Sequence, residues 1–375
     1  MKRILFVTHN LKGGGIQKIT LDTARYYVNQ GNDVSILALE KGIDFQIDFP
    51  CHYSVLPLHK FFISHPFSAL YFAFYKTFLR NIFPQSELLW GAHLYKKLSN
   101  SYLKEQLPFD AIFINGARSM NRLHTINQKN VVYSLHLPHV LTHKDNFYYD
   151  YLFKTLFRNK KVFTVSDFIR TPINIKAQRL GVKFNDLVTI YNPCDKNILL
   201  NKADEEINFN GNFILAVGRL SRQKRFDILI DAYKKSGLKT KLIILGEGNQ
   251  RESLEHQIQK LNLTEDVILK GFDSNPFKWM KRCDYFVLSS DVEGFVLVIN
   301  EALACGAPVI TTDCGPVTEI LTGELKKGIV PKQDSEQLAN KMKEFAISPI
   351  YPSDSAIDKL SFKVITKEQL KLAEK

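Results

Sequence analysis

Two glutamates with seven residues between them, Glu293 and Glu301 in the run EGFVLVINE, form the most chemically suggestive pattern in the chain. Tyr285 to Leu288 before them reads as a buried strand, and Val298 to Cys305 reads as a helix. Glu293 then falls in a strand-end loop and Glu301 one turn into the next helix, so both carboxylates can point into one cleft at different depths. Carboxylates accept several hydrogen bonds each, which suits sugar and ribose hydroxyls. Upstream, Gly218-Arg219-Leu220-Ser221-Arg222-Gln223-Lys224 follows a strand and opens a helix. Arg219 as a planar fork and Lys224 as a point charge suit a diphosphate, whose charge they would neutralise as a bond to it breaks. Each pattern has a plain structural reading as well. Acids near a helix start complement its dipole, and a basic loop is ordinarily a solvated surface.

Further loops sit where chemistry needs them. Leu245-Gly246-Glu247-Gly248 and Lys270-Gly271-Phe272 end two strands as glycine-rich turns, and the second is expected to meet a nucleotide base largely through backbone groups. Gly13-Gly14-Gly15 lies between the first strand and the first helix, where glycines let backbone approach a phosphate or sugar and the helix start favours the anion. It is no dinucleotide fingerprint, because Lys18 stands where GxGxxG requires glycine. His136 follows a strand end in SLHLPH, and His139 is the other candidate in that loop; either can equally be a structural histidine. No DxD motif, P-loop, serine nucleophile elbow or clear general base is present. Asp291-Val292-Glu293 is acid-x-acid, but it shares Glu293 with the sugar contact, so no metal is expected there.

The elements that would position these loops come in two series. Arg3 to Thr8, a helix from about Gln17 to Gln30, and Asp33 to Leu39 make a βαβ unit; strand signals recur at Ala111 to Asn115, Asn130 to Leu135 and Lys161 to Val165. The second series has strands at Phe213 to Val217, Lys241 to Leu245, Val267 to Lys270, Tyr285 to Leu288 and Pro308 to Thr312. Its helices fall at about Phe226 to Ser236, Gln250 to Leu261 and Val298 to Cys305. Both series are α/β with parallel sheets. The boundary is expected near 190–210, giving domains 1–195 and 196–357, and the helical pattern of Ser361 to Glu374 lets 358–375 pack back on the first domain.

Composition sets further limits. The 375 residues, 45% of them hydrophobic, suffice for two buried cores. Five scattered cysteines without a CxxC pair suggest neither a disulfide framework nor a zinc site and fit a reducing cytoplasm. The opening MKRILFVTHN reads as a strand and not a signal peptide, and no segment is expected to span a membrane. Residues 1–195 hold 24 Lys+Arg against 13 Asp+Glu, whereas 196–375 hold 26 against 25. The positive first half is expected to face something anionic, whether phospholipid, a phosphorylated acceptor or nucleic acid.

The E-x7-E segment resembles that of glycosyltransferase family 4, together with the GRLxxxK loop, over nearly the whole chain and most densely between residues 213 and 321. The resemblance implies the GT-B fold, two Rossmann-like domains facing across a deep cleft, and a retaining transfer of a sugar from a nucleotide diphosphate donor, a UDP-sugar foremost. It assigns Glu293 to donor-sugar hydroxyls, Glu301 to the ribose, and Arg219 and Lys224 to the diphosphate. It implies that His136 contacts the donor sugar and that Gly14, Gly15 and Gly218 approach phosphate or acceptor. The pocket edges would be Gly246, Glu247, Lys270, Gly271, Phe272, Gly294, Phe295, Val296 and Leu297. No cofactor and no metal are implied. The lack of a base fits retaining members, in which the departing diphosphate takes the acceptor proton.

The acceptor is expected at the first domain, as a glycan or glycolipid of lipopolysaccharide, capsule or another surface polysaccharide. The aromatic stretch Phe61 to Phe83, with Lys60, Lys76 and Arg80 interspersed, reads either as an interfacial helix on anionic lipid or as a buried core helix. The first reading places the protein peripherally on the cytoplasmic face of an inner membrane. Nucleic acid is not expected, since no known binding module or basic run occurs. The alternatives are a UDP-sugar epimerase of the same fold and a non-catalytic sugar-nucleotide-binding subunit.

Overall fold

The computed structural model describes all residues except Gly13, Pro84, Gln106, Leu107 and Asn127, and the side chains of His59, Lys60, Ser86, Ser101, Lys104 and Glu105 are likewise outside it. The chain divides into two compact units, Met1–Pro193 with Phe362–Lys375, and Cys194–Ser361.

The first unit is built on a seven-stranded sheet. Its strands are β1 (Arg3–Thr8), β2 (Asp33–Ala38), β3 (His52–Val55), β4 (Ala111–Asn115), β5 (Val131–Leu135), β6 (Lys161–Thr164) and β7 (Asp186–Thr189), in the order β3-β2-β1-β4-β5-β6-β7 and all parallel. Central strands such as RILFVT and AIFIN are apolar without alternation because both faces are covered by helices. Each fully buried Ile, Leu or Phe there contributes about 1.5–3 kcal/mol. The helix Gly15–Asn29 turns Ile19, Leu21, Ala24 and Tyr27 inward, and Phe6 stacks on Phe113 at 5.3 Å between centroids. The helix Phe362–Glu374 belongs to this unit. Tyr26 stacks on Phe362, and the buried Tyr27 hydroxyl donates to the Thr366 carbonyl at 3.0 Å.

The second unit carries β8 (Phe213–Val217), β9 (Lys241–Leu245), β10 (Val267–Gly271), β11 (Tyr285–Leu288), β12 (Val309–Thr312) and β13 (Ile329–Val330). Their order is β10-β9-β8-β11-β12-β13, again parallel. In both sheets the strand order reverses once, between β1 and β4 and between β8 and β11. Loops leaving the carboxyl ends on either side of such a switch point diverge and open a crevice, which is where open α/β sheets bind ligands.

The stretch from Phe61 to Phe83 is not a buried core helix. It folds as helices Leu58–Ser64 and Pro66–Phe74, the latter running through a π-turn at Tyr75–Leu79 into Arg80–Ile82. Phe61 and Tyr75 are buried, but Phe67, Leu70, Phe74, Phe78 and Ile82 are at least half exposed. Their three- and four-residue spacing gathers them on one side. Among the described residues no helix is long and apolar enough to cross a membrane.

Candidate active site

The loops after β8 and β11 flank the switch point of the second sheet. After β8 the chain turns through Gly218 and Arg219 into a 3-10 turn, Arg222–Lys224, and then through Arg225 in the left-handed region (φ 50°) into the helix Phe226–Ser236. After β11 it passes Ser289 to Val296 before the helix Leu297–Ala304. The two loops are tied together. Asp291 N–H donates to the Gln223 carbonyl at 2.9 Å, Gln223 Nε2 to the Val292 carbonyl at 2.7 Å, and Ser289 Oγ to the Lys224 carbonyl at 2.8 Å.

On this frame Lys224 Nζ donates to Glu293 Oε1 at 2.7 Å, with side-chain exposures of 18% and 13%. Residues 69 apart in sequence are thus one ion pair. An ammonium has three donors, so Lys224 keeps donors beyond the one given to Glu293. The other acid of the acid-x-acid run is engaged too: Asp291 accepts from Arg225 Nη1 at 3.2 Å and from Gln333 Nε2 at 3.1 Å. Both carboxylates that could have held a cation face cationic or amide donors instead. Arg219 is exposed, and its guanidinium has no hydrogen bond or ion pair among the described residues. Glu301 lies half-buried in the second half of the helix Leu297–Ala304. Gly294, Phe295 and Val296 are buried and Leu297 half-buried. Glu293 N–H donates to the Cys314 carbonyl, and burial, followed by the Glu293 charge, pushes the Cys314 thiol up to about 11, so that cysteine is no nucleophile.

The glycine loops after β9 and β10 close one side. A Cβ at Gly246 (φ 143°) would stand 1.9 Å from the Gly218 carbonyl oxygen, and one at Gly248 would stand 2.3 Å from the Leu220 carbonyl oxygen. Glycine is needed here because the loops after β8 and β9 meet backbone to backbone. Leu220 N–H donates to the Glu247 carbonyl, and Gly246 N–H to the Gly271 carbonyl. The Glu247 carboxylate turns away to a bidentate pair with Arg251, at 2.8 and 2.9 Å. Lys270 is exposed beside the Trp279 ring, and Phe272 is 78% exposed.

In the first unit His136 follows β5 and is buried. Its ring joins a polar chain: Ser134 Oγ donates to Asn115 Oδ1 at 2.9 Å, and Asn115 Nδ2 to Thr20 Oγ1 at 2.9 Å. The Ser134 proton is thereby committed, so at 3.0 Å the serine oxygen accepts from His136 Nε2–H. Burial holds the imidazole down at about 4, against a hydrogen bond with Asn192 that raises it, so His136 is neutral at pH 7. His139 is held at about 4 by burial; its Nδ1 accepts from Leu141 N–H and its Nε2 bonds Asn121 Oδ1. Both its nitrogens are used, one within the loop and one to the helix Ala117–Leu123, a structural role. Gly14 precedes and Gly15 begins the helix Gly15–Asn29, whose first turn has no side-chain cap; Gly13 lies outside the described residues.

Residues 198–358 match the family model of glycosyl transferases group 1. This segment is a group 1 glycosyltransferase domain. The group 1 domain covers most of the second unit and includes Arg219, Lys224, Glu293 and Glu301. Over 160 residues, 43% of this chain and 44% of the relative, the sequence is 38% identical to an N-acetylgalactosamine-N,N'-diacetylbacillosaminyl-diphospho-undecaprenol 4-alpha-N-acetylgalactosaminyltransferase of Campylobacter jejuni. The chain spans about half the length of several curated relatives it matches, 44–59% of each. Among solved structures, the apo lipopolysaccharide outer core galactosyltransferase WaaB superposes with a TM-score of 0.67 at 18% identity, over 99% of this chain and 98% of that one. Anabaena HepE in complex with UDP and glucose gives 0.70 at 20% identity, over 99% of both chains. These likenesses are of fold, the GT-B fold with two Rossmann-like domains.

Sequence reasoning missed Arg225 as the partner of Asp291, and it missed the cluster of His9, Glu40, Glu87, Arg118 and Arg122 in the first unit. A signal existed for the cluster. His9 directly follows β1, and Arg118 and Arg122 are four apart in the helix directly after β4.

Proposed function

We propose that the chain is a retaining, metal-independent glycosyltransferase that moves a sugar from a UDP-sugar to a glycan or glycolipid acceptor in surface-polysaccharide or lipopolysaccharide assembly. The observation that carries the reading is the Lys224–Glu293 ion pair at the switch point of the second sheet, with the unpaired Arg219 on the same loop. Lys224 and Arg219 would hold the diphosphate and neutralise the charge that grows on it. Glu293 would accept hydroxyl protons of the donor sugar, and Glu301 those of the ribose. The bond from the anomeric carbon to the phosphate oxygen breaks, the acceptor oxygen bonds to that carbon on the same face, and the acceptor proton passes to the leaving diphosphate. No residue need act as a base, and His136, neutral and fixed by Ser134, would orient the sugar. The named activities of the relatives and the UDP bound to HepE support the donor class. The exposed apolar stripe on the helix Pro66–Phe74 and its continuation to Ile82 supports work at a membrane surface.

Sugar transfer from UDP-sugars to lipid-extract acceptors tests the reading. Arg219→Ala and Lys224→Ala should each lower turnover at least about 10²-fold with parental circular dichroism; Arg219→Ala should also melt like the parent, whereas Lys224→Ala, which leaves the Glu293 carboxylate without its ion-pair partner, should melt lower. Near-parental turnover in both variants would overturn the assignment of the site.

A further inference from the structure

The first sheet has its own switch point, between β1 and β4, and a cavity of about 300 Å³ opens there, lined by residues that follow those strands. His9 comes directly after β1, and Arg118 and Arg122 lie in the helix Ala117–Leu123 directly after β4. Arg122, the most buried of the charged residues lining it, uses up both carboxylates present. It donates from Nη2 to Glu40 at 2.7 Å, from Nε to Glu87 at 2.5 Å, and from Nη1 to His9 Nδ1 at 3.2 Å. Three other cations line the cavity, Lys76, Arg80 and Arg118; among the described residues none forms a hydrogen bond or ion pair with a carboxylate, although, against burial and together with Arg122, the Lys76 charge helps to hold the Glu40 carboxyl down. Four cations against two carboxylates leave the cavity positive where open sheets collect ligands. Guanidinium groups present paired donors that match phosphate oxygens.

Lys76 and Arg80, one helical turn apart, come from the same helical stretch that carries the exposed stripe of Phe67, Leu70, Phe74, Phe78 and Ile82 on its other side. Such a helix lies in a bilayer interface, with its apolar face about 5–10 Å into the headgroup–acyl boundary. Its basic side chains then stand at the level of lipid phosphates. We propose that the cavity is a phosphate subsite, which takes the phosphate or diphosphate of a lipid-borne acceptor while the apolar stripe of the same helix sits in the bilayer. The proposal rests on the reading of the chain as a membrane-surface transferase, and it adds the chemical class of the acceptor.

Two measurements on the full chain test it. Inorganic pyrophosphate is titrated calorimetrically into protein saturated with UDP, so that the second unit is occupied. A binding event is expected that weakens at least tenfold in the Arg80→Gln, Arg118→Gln double variant, whose substituted side chains are exposed and leave the Arg122 pairs intact. No event, or one insensitive to both substitutions, overturns the phosphate subsite. In co-sedimentation, vesicles of phosphatidylcholine containing phosphatidic acid should bind the protein, and pure phosphatidylcholine should not. The Phe67→Ser, Phe74→Ser variant should lose at least tenfold in vesicle affinity and keep its pyrophosphate affinity. Equal sedimentation of that variant and the parent overturns the lipid source. Absence of UDP binding in the parent would instead overturn the donor reading; the pyrophosphate titration, run then without UDP, still reports on the cavity through Arg80 and Arg118.

Discussion

Replacing Glu293 with Gln removes one charge and keeps the shape, and it should move three properties in different directions. The ammonium of Lys224, mostly buried beside it, loses its carboxylate, at a cost of about 1–3 kcal/mol of stability. Affinity for UDP should rise. A phosphate oxygen held by Lys224 would lie about 5 Å from the carboxylate, where the Coulomb repulsion at an effective dielectric of about 20 is about 3 kcal/mol per unit charge. Screening by water and salt at this partly open site reduces that to about 1–2 kcal/mol, so UDP should bind about tenfold tighter. Turnover of a UDP-sugar should fall at least about 10²-fold, because the carboxylate that would hold the donor sugar in the transition state is gone. Calorimetry with UDP, thermal melts and steady-state transfer read the three quantities on one preparation. A tenfold loss of UDP affinity in a well-folded variant would refute the electrostatic argument, since Glu293 would then be aiming Lys224 at the phosphate and not opposing it.

Gly246→Ala should destabilise the second unit by about 3 kcal/mol or more, because its Cβ would meet the Gly218 carbonyl at 1.9 Å in a positive-φ backbone. Gly31→Ala, where nothing lies within 4 Å, should cost about 1 kcal/mol, and equal melting of the two variants would contradict this. His136 and His139 have folded values near 4, below the ordinary 6.5, so the folded state binds fewer protons between those values. Their contribution is complete above about pH 6.5 and is lost as pH falls toward 4. The melting temperature should therefore drop through that window, with a shallower slope in His139→Gln; identical slopes would count against burial as the cause. Transfer activity should persist in EDTA, since Asp291 and Glu293 already face Arg225 and Lys224. Loss restored by magnesium or manganese would refute metal independence.

The parts of the fold most readable in sequence were those buried on both sides. RILFVT, AIFIN, FILAV and KLIIL are strands because a sheet covered by helices needs apolar residues at every position. β3, β7 and β13 escaped because they are sheet-edge strands of two to four residues, with no continuous apolar run. The loops carrying Arg219, Lys224, Glu293 and Glu301 were legible as motifs, but the bond between Lys224 and Glu293 was not, since nothing local encodes a contact across 69 residues. Glu247 shows the converse: its glycine neighbours mark a tight turn, yet its carboxylate is committed to Arg251 one helical turn on. In the Phe61 to Phe83 stretch, aromatic content alone left the direction of the rings open, and only packing shows that Tyr75 faces inward and Phe67 outward.

Because the helix Phe362–Glu374 belongs to the first unit, the polypeptide of that unit is interrupted by the whole of the second. During synthesis, every residue of the second unit leaves the ribosome before the helix that completes the first. The second unit is therefore free to fold while the first still lacks the partner for its buried Tyr27 hydroxyl and the Ala373 carbonyl that Lys161 reaches at 3.1 Å. Closing that helix onto β4 and β5 is a contact of very long sequence separation, which is entropically slow to form from a disordered chain. A pre-folded second unit shortens the effective loop to the span between its two ends, so the order of translation itself speeds the last docking step.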